Sequence, residues 1–551
     1  MSATLSYTTT TTVGDLLVRA TARTPDKDAI RFPGEKRSFR ELHDAAMLRA
    51  RELYGLGVRP GDHVGIFLPS CIEYLEYYFG LAYLGAVSVP MNARYREHEL
   101  RYQTINADLV HIVSTTKVAE GLDFRARLHQ AFPALREAAS DQPVQLQDAP
   151  RLRGITLLTE ESSPGCLRQS VSRGFAAAVS EALIDRLRRA VTLRQTTLIL
   201  YTSGTTANPK GCMISHEALV RTGMGMAERY GMTDQDAFWS PLPMFHVGAL
   251  FPLCAAYHAG ATYIGMQHFE AGAAIRLVRE ARPTIGYPSF ALFLSDMVYH
   301  PDFRVEDVAS LRLLNCSMAL SAEPFRELMR KSFPNALFVG TYGMTETSGT
   351  VTTSDPADSE TERFNRLGRP FDGLSVRIKR EDGGEAAPGE IGEICVKGFS
   401  IFTEYYGDPE KTAEAKQDGW FHTGDLGSVD GAGTLMFHGR AKDMLKVGGE
   451  NVAALEIEMI VAQHPAVKTC QVVGKPDPRL QEVPVAFVEL VPGESVDPAE
   501  LIAYCTSRIA GFKVPRDVHF IAEWPMSASK IQKFKLREQV QAMAAEICGA
   551  E

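Results

Sequence analysis

The sequence predicts an α/β protein: a large N-terminal body of several subdomains with parallel-rich sheets, then a small, mobile α+β C-terminal domain. Three observations lead there. Short apolar runs alternate with amphipathic stretches through the first part of the chain, as layered α/β structure requires. Towards the C-terminus this alternation gives way to β-rich segments punctuated by Gly-containing turns. At 551 residues, the chain also exceeds what one hydrophobic core usually supports.

The elements follow in order. His63-Val64-Gly65-Ile66-Phe67-Leu68 reads as a buried strand, residues 71–83 as the next helix, and 87–90 and 109–113 as further strands. This spacing fits βαβ crossovers and a largely parallel sheet. Residues 141–164, rich in Pro, Gln, Ser and charge, predict an exposed excursion, and 336–339 a further β-like run. Glu381-Asp382-Gly383-Gly384 and Asp430-Gly431-Ala432-Gly433 are hairpin turn signals. Residues 452–463 read as helix, 470–474 and 485–490 as strands, 498–509 as the final helix, and 523–539 as a polar, basic tail. The predicted domains are 1–439 and 440–551.

Composition excludes several function classes. Hydrophobic residues make up 45% and charged residues 23%, as in ordinary globular proteins. A net charge of -9 argues against a general nucleic-acid binder. No apolar run approaches the ~20 residues of a membrane span. Residues 1–13 are polar and Thr-rich, unlike a secretory signal, and nine dispersed cysteines form no CxxC pair. The expected location is cytoplasmic, with reduced thiols.

The sharpest local feature is Thr202-Ser203-Gly204-Thr205-Thr206-Ala207-Asn208-Pro209-Lys210, fed by the β-rich run Thr197-Leu198-Ile199-Leu200-Tyr201. Backbone N–H groups and hydroxyls converging there suit phosphate oxygens, with Lys210 adding a point charge. It is not a Walker A loop, because GxxxxGK[ST] is absent. Taken alone, the loop favours phosphate binding over the bland alternative, a polar loop after a buried strand. Four more motifs follow: Tyr342-Gly343-Met344-Thr345-Glu346, Trp420-Phe421-His422-Thr423-Gly424-Asp425-Leu426, the stretch from Gly439-Arg440-Ala441-Lys442-Asp443 to Lys446-Val447-Gly448-Gly449-Glu450-Asn451, and Pro525-Met526-Ser527-Ala528-Ser529-Lys530-Ile531.

In kind and order these five segments resemble the adenylate-forming superfamily of acyl-CoA synthetases, non-ribosomal peptide adenylation domains and beetle luciferases. The resemblance spans nearly the whole chain. It implies an ATP-dependent carboxylate:CoA ligase, forming an acyl-AMP with pyrophosphate release and then an acyl-CoA thioester. ATP, Mg²⁺ and CoA are then the expected cofactors. By the same resemblance, Thr202 to Thr206 and Lys210 cradle phosphates, Tyr342 and Gly343 lie at adenine, Thr345 bonds the α-phosphate and Glu346 holds Mg²⁺. Asp425 takes the ribose hydroxyls, and Arg440 the ribose or a phosphate. Ser317-Met318-Ala319 borders adenine and the acyl pocket, with Met318 reshaping one wall. Lys530 enters from the C-terminal domain to bridge the carboxylate and α-phosphate. Lys442 matches a hinge, and after rotation Lys446, Gly448 and Gly449 face the pantetheine arm.

Pro241-Leu242-Pro243-Met244-Phe245-His246-Val247-Gly248 resembles the border of the family's acyl tunnel. There His246 either gates the acid site or is merely structural. Gly248, in place of a bulky aromatic, implies a deeper tunnel. An apolar small-molecule acid is therefore expected: fatty, alicyclic or aryl-alkanoic. The departures from the family pattern are Ala207, Ser317 and Ser529. Two rival readings are an acyl-AMP ligase loading a carrier protein and a catalytically silent homologue. No nucleic-acid partner is expected, and a homodimer is compatible with the sequence.

Overall fold

The computed structural model describes residues 10–117, 121–202, 209–477, 479–526 and 530–548. Two seven-stranded sheets dominate the body. The first runs, in spatial order, Leu167–Arg168, Gly154–Leu157, His111–Ser114, His63–Ile66, Val87–Pro90, Thr196–Thr202 and Lys210–Ser215. Every neighbouring pair is parallel except the last. The second runs Leu337–Val339, Leu313–Cys316, Ile285–Ser289, Ala237–Trp239, Thr262–Ile264, Asp28–Phe32 and Glu35–Ser38. It too is parallel except for its final pair.

One core joins the two sheets. Leu198 and Leu200 from the first and Phe238, Tyr263 and Ile285 from the second share it with helices Phe39–Gly55, Ile72–Leu84, His216–Arg229 and Val247–Ala259. Ile199 points the opposite way, into a separate outer core, as the two-residue period of a strand dictates. Trp239, Ile264 and Leu314 do the same on the outer face of the second sheet. The helix Ile72–Leu84 explains its own position: every residue but Glu73 is buried. Its buried Glu76 is compensated by Arg49, whose guanidinium lies 2.8 Å from it and 3.0 Å from Glu52.

Two antiparallel sheets follow. One comprises Thr341–Met344, Gly349–Thr353 and Arg369–Pro370; the other comprises Leu374–Lys379, Gly392–Gly398, Trp420–Val429, Lys416–Gln417 and Leu435–Arg440. The turn expected at 430–433 joins two of these strands, with Gly433 at φ +78°. The C-terminal part builds its own sheet from Met444–Val447, Glu450–Ala453, Val467–Asp477, Gln481–Leu490 and Asp517–Phe520. Leu445, Val452, Ile457, Val472, Ala486 and Leu501 form its core.

Two expectations are corrected. Residues 141–164 are not a simple exposed excursion, because Gly154–Leu157 is a fully buried strand parallel to His111–Ser114. Val144, Leu146, Ala149 and Leu152 are buried beside it, their apolar positions camouflaged by polar neighbours. The helix near 498–509, observed as Pro498–Thr506, is also not the last. Lys533–Cys548 continues as a helix within the basic tail, tethered through buried Leu536 and Val540. Among the described residues no helix is long and apolar enough to cross a membrane, and eight described cysteines are free thiols.

Candidate active site

Parallel strands deliver their following loops to one edge of the sheet, where α/β proteins bind ligands. Here Ala237–Trp239, Ile285–Ser289, Leu313–Cys316 and Leu337–Val339 lead to His246, Phe290, Ser317 and Tyr342 respectively. Ser317 is tied to the last of these loops: its hydroxyl donates to the Thr341 carbonyl at 3.3 Å.

The hairpin of Thr341–Met344 and Gly349–Thr353 carries the next group. A Cβ at Gly343 would sit 1.8 Å from the Gly349 carbonyl oxygen, so only glycine permits this approach. The reversal is a single 3₁₀ turn, Thr345–Thr347, followed by Ser348 at φ +55°. That left-handed conformation is costly for serine. It is held by the Ser348 hydroxyl, which donates to the Ser400 carbonyl at 2.7 Å, while the Met344 N–H donates to Thr347 Oγ1 at 2.9 Å. Thr345 and Glu346 are thereby fixed at the turn.

Glu346 has a partner that the sequence reading missed. The Tyr405 hydroxyl donates to its Oε1 at 3.2 Å, and Lys210 Nζ stands 4.8 Å above the Tyr405 ring. The segment bearing Tyr405 runs alongside Lys210–Ser215: the Thr403 N–H donates to the Met213 carbonyl at 2.7 Å, and the Tyr406 N–H to the Gly211 carbonyl at 2.8 Å. Lys210 itself pairs in register with Thr202 across the neck of the predicted phosphate loop. Ser203, Gly204, Thr205 and Thr206 lie outside the described residues.

Asp425 is opposite Arg440 in the antiparallel register, with Oδ1 3.4 Å from the guanidinium. Its Oδ2 accepts a 2.9 Å hydrogen bond from the Tyr342 hydroxyl. Burial raises the Asp425 pKa, against the opposing pull of Arg440, Tyr342 and Lys530. Burial first, and Asp425 second, raise that of Tyr342. The preceding Gly424, at φ +70°, donates its N–H to Glu393 Oε1 at 3.1 Å. The other oxygen of Glu393 meets His422 Nδ1 at 2.8 Å, and the same nitrogen lies 3.5 Å from Cys395 Sγ. Glu393, Cys395 and His422 are close enough to share a metal, but they already engage one another, and together they brace the Gly424–Asp425 turn.

The C-terminal part contributes Lys530. Its loop is closed by a bridge between Met526 and Ile531 and by the Gln532 N–H, which donates to the Pro525 carbonyl at 2.8 Å. Lys530 Nζ lies 5.8 Å from the Phe290 ring centre. Lys530 is exposed to solvent, yet protein crowds around its ammonium group. Enclosure, then Arg440, lower its pKa, while Glu346 and Asp425 act to raise it. His246 faces the same ammonium: burial first, then Lys530 and Arg94, push its pKa down to about 4. Its buried Nε2 has no hydrogen-bond partner among the described residues.

Charge interactions gather Glu346, Asp425, Arg440 and His246 around Lys530 in one cleft. Tyr342 bonds Asp425, Lys210 stands over the Tyr405 that bonds Glu346, Gly343 and Thr345 share the Tyr342 hairpin, and Ser317 is tied to that hairpin at Thr341. Met318 is a correction. Its side chain is fully buried in the outer core with Trp239, Leu294 and Phe333, so it does not form a cleft wall. Lys446, Gly448 and Gly449 also stand apart. The two glycines, at φ +61° and +90°, make the two-residue turn between Met444–Val447 and Glu450–Ala453. Their neighbours and those of Lys446 are Leu480, Asn451 and Glu482, all in the C-terminal part. Among the missed residues, Tyr405 had one signal: a Tyr-Tyr pair after the apolar run ending at Phe402. Phe290 had none.

A largely apolar cavity of about 210 Å³ is lined by Phe245, Phe269, Leu292, Phe293 and Met526, with Arg94, His268 and Asp296 as its charged and polar members.

The family model for AMP-binding enzymes matches residues 17–406, and that for the AMP-binding enzyme C-terminal domain matches residues 456–530. A putative acyl-CoA synthetase of Bacillus subtilis, YngI, is 32% identical over 96% of this chain and 97% of its own length. A feruloyl-CoA synthase of Amycolatopsis is also 32% identical, over 96% of this chain and 99% of its own. The ATP-bound structure of MatB from Rhodopseudomonas palustris superposes with a TM-score of 0.80 at 27% identity, covering 96% of this chain and 98% of that one.

Proposed function

The chain belongs to the AMP-binding enzyme family, and we propose that it is an ATP-dependent carboxylate:CoA ligase acting on an apolar acid. One observation carries this reading: Lys530, from the C-terminal part, shares a cleft with Glu346, Asp425 and His246 of the body and with Arg440 at the domain boundary. That set matches the charge demands of adenylation. The acid's carboxylate oxygen attacks the α-phosphorus of ATP, the bond to the β-phosphate bridging oxygen breaks, and pyrophosphate leaves.

Each residue has a task that its placement supports. Asp425, braced by Tyr342, accepts the ribose hydroxyls. Thr345 donates to the α-phosphate from its fixed turn, and Lys210 answers the charge of the outer phosphates. Lys530 places an ammonium between the acid's carboxylate and the α-phosphate, orienting the nucleophile and stabilising the charge that develops. Glu346 is an oxygen donor beside Lys210 and Tyr405, which fits a hard cation. It would hold the Mg²⁺ that neutralises phosphate charge. His246, neutral above about pH 4, offers an unpartnered Nε2 to an acid group. The largely apolar cavity suits an alkyl or aryl group or the pantetheine arm, whereas the deeper tunnel expected at Gly248 is not borne out: a Cβ there would sit 2.9 Å from Leu242 Cδ1, so that position is already filled.

Thioester formation requires the Lys530 position to be vacated for the thiol. The proposed domains, 1–439 and 440–551, meet at Lys442, which lies in the short turn Ala441–Asp443. Rotation there would bring Lys446, Gly448 and Gly449 towards the acyl carbonyl. The two-residue turn keeps this hairpin tip narrow.

A panel of fatty, alicyclic and aryl-alkanoic acids tests the reading, with pyrophosphate release and acyl-CoA formation measured separately. The expected result is pyrophosphate release with at least one apolar acid and a thioester from free CoA. Pyrophosphate release without any acyl-CoA would overturn the CoA assignment, and no release with any acid would overturn the ligase assignment.

A further inference from the structure

An ion pair, shielded at the lysine and 34% exposed at the carboxylate, ties the Lys530-bearing part to the body. Lys468, on the strand Val467–Asp477, reaches Asp296 Oδ1 at 2.9 Å on the body helix Ala291–Val298. The same ammonium lies 2.7 Å from Glu489 Oε1 on the neighbouring strand. The Lys468 side chain is only 10% exposed, so its charge depends on both carboxylates.

The connection continues to the active site. Trp524 Nε1 donates to the other Glu489 oxygen, Oε2, at 2.6 Å. Trp524 is packed against Val473, Val485, Phe487, Leu536 and Val540, and it directly precedes the Pro525–Gln532 closure that presents Lys530. An unbroken series therefore runs from Asp296 in the body, through Lys468, Glu489 and Trp524, to the base of the Lys530 loop. Only the first link crosses between the two parts of the chain. A contact made in one orientation and broken in another biases the equilibrium by its own free energy.

We propose that the Asp296–Lys468 pair is a latch holding the C-terminal part with Lys530 in the cleft, which makes Asp296 a positioning residue for the adenylation half-reaction. This rests on the ligase reading above. Asp296→Asn keeps the shape of the side chain and removes its charge, leaving Lys468 only Glu489.

The test uses the full chain and the best acid of the panel. Asp296→Asn and Lys468→Met should each slow single-turnover pyrophosphate release about tenfold, the scale of ordinary coupling between sites. In Lys468→Met, whose side chain does not line the cavity, conversion of supplied acyl-AMP and CoA to thioester should be unchanged or faster. The double variant should be no slower than either single one, because both remove the same contact. Independently of any acid, trypsin should cut the 440–446 stretch faster in Asp296→Asn than in the unaltered protein. Equal loss of both half-reactions, additive losses in the double variant, or unchanged adenylation with unchanged cleavage would overturn the latch. If no acid releases pyrophosphate, the ligase reading fails, and the tryptic comparison still decides the latch.

Discussion

The Tyr342 hydroxyl donates a 2.9 Å hydrogen bond to Asp425 Oδ2, joining the Gly343 hairpin to the strand that also carries the turn at Gly424. Two of the sequence motifs thus meet in one bond. Tyr342 braces Asp425, the carboxylate proposed to take the ribose hydroxyls.

Removing that brace has a signed consequence. The hydrogen bond lowers the Asp425 pKa, whereas burial raises it. Tyr342→Phe should therefore move the carboxyl further up and protonate it at higher pH. KM for ATP should rise about tenfold, the scale of one hydrogen bond to a charged group, and the penalty should be larger at pH 5.5 than at pH 8. A pH-independent penalty would show that Tyr342 does not act through Asp425.

Lys530→Ala should reduce acyl-AMP formation by ~10²–10³, the cost of one preorganised donor to developing charge. Thioester formation from supplied acyl-AMP should be spared. Rapid-quench measurement of each half-reaction checks this, and equal losses would contradict the division of labour.

Glu346→Gln retains a hydrogen-bond acceptor for Tyr405 but removes the charge. The Mg²⁺ concentration giving half-maximal pyrophosphate release should rise roughly tenfold, the scale of one charged contact. An unchanged Mg²⁺ dependence would remove Glu346 from the metal site.

Gly343→Ala forces a Cβ against the Gly349 carbonyl oxygen, 1.8 Å away, where no flexible side chain can yield. Stability should fall by about 2–4 kcal/mol, read as a lower urea midpoint. An unchanged midpoint would show that the hairpin relaxes freely.

Acid should destabilise the body through two buried imidazoles. His111, bonded to Thr156, is pushed down to about 4 by burial, and His216 to about 3. Both folded pKa values lie below the ordinary 6.5. The stability tied to their neutral forms is therefore present above pH 6.5 and is lost as pH falls towards 4 and 3. Each should cost on the order of 1–3 kcal/mol by pH 4. His111→Gln should flatten the pH dependence of the melting temperature in that window, and an unaltered slope would rule out its share.

The legible parts of the chain were those where local chemistry repeats. The strand at His63–Ile66 and the helix after it announce themselves by unbroken apolar runs, and Lys530 by its motif. The strand Gly154–Leu157 was hidden because only five residues, 154–158, separate its polar flanks Arg153 and Thr159. Met318 was misplaced because sequence position cannot tell which way a 3₁₀ turn points its side chain, and here it points into the core. Tyr405 joins the cleft through long-range pairing with the Lys210–Ser215 strand, of which the Tyr-Tyr pair is the one local trace, and Phe290 left none.

The four loops at the carboxyl ends of the second sheet's strands bear on adaptability. Each begins where a buried strand has finished its packing, and each keeps some side chains outside the core. Leu242, Met244 and Tyr342 still pack into the shared core and Met318 into the outer one, so variation at the partly exposed Phe245, Phe290 and Ser317 should redirect acid preference at little thermodynamic expense, leaving the scaffold as a constant chassis for many substrates.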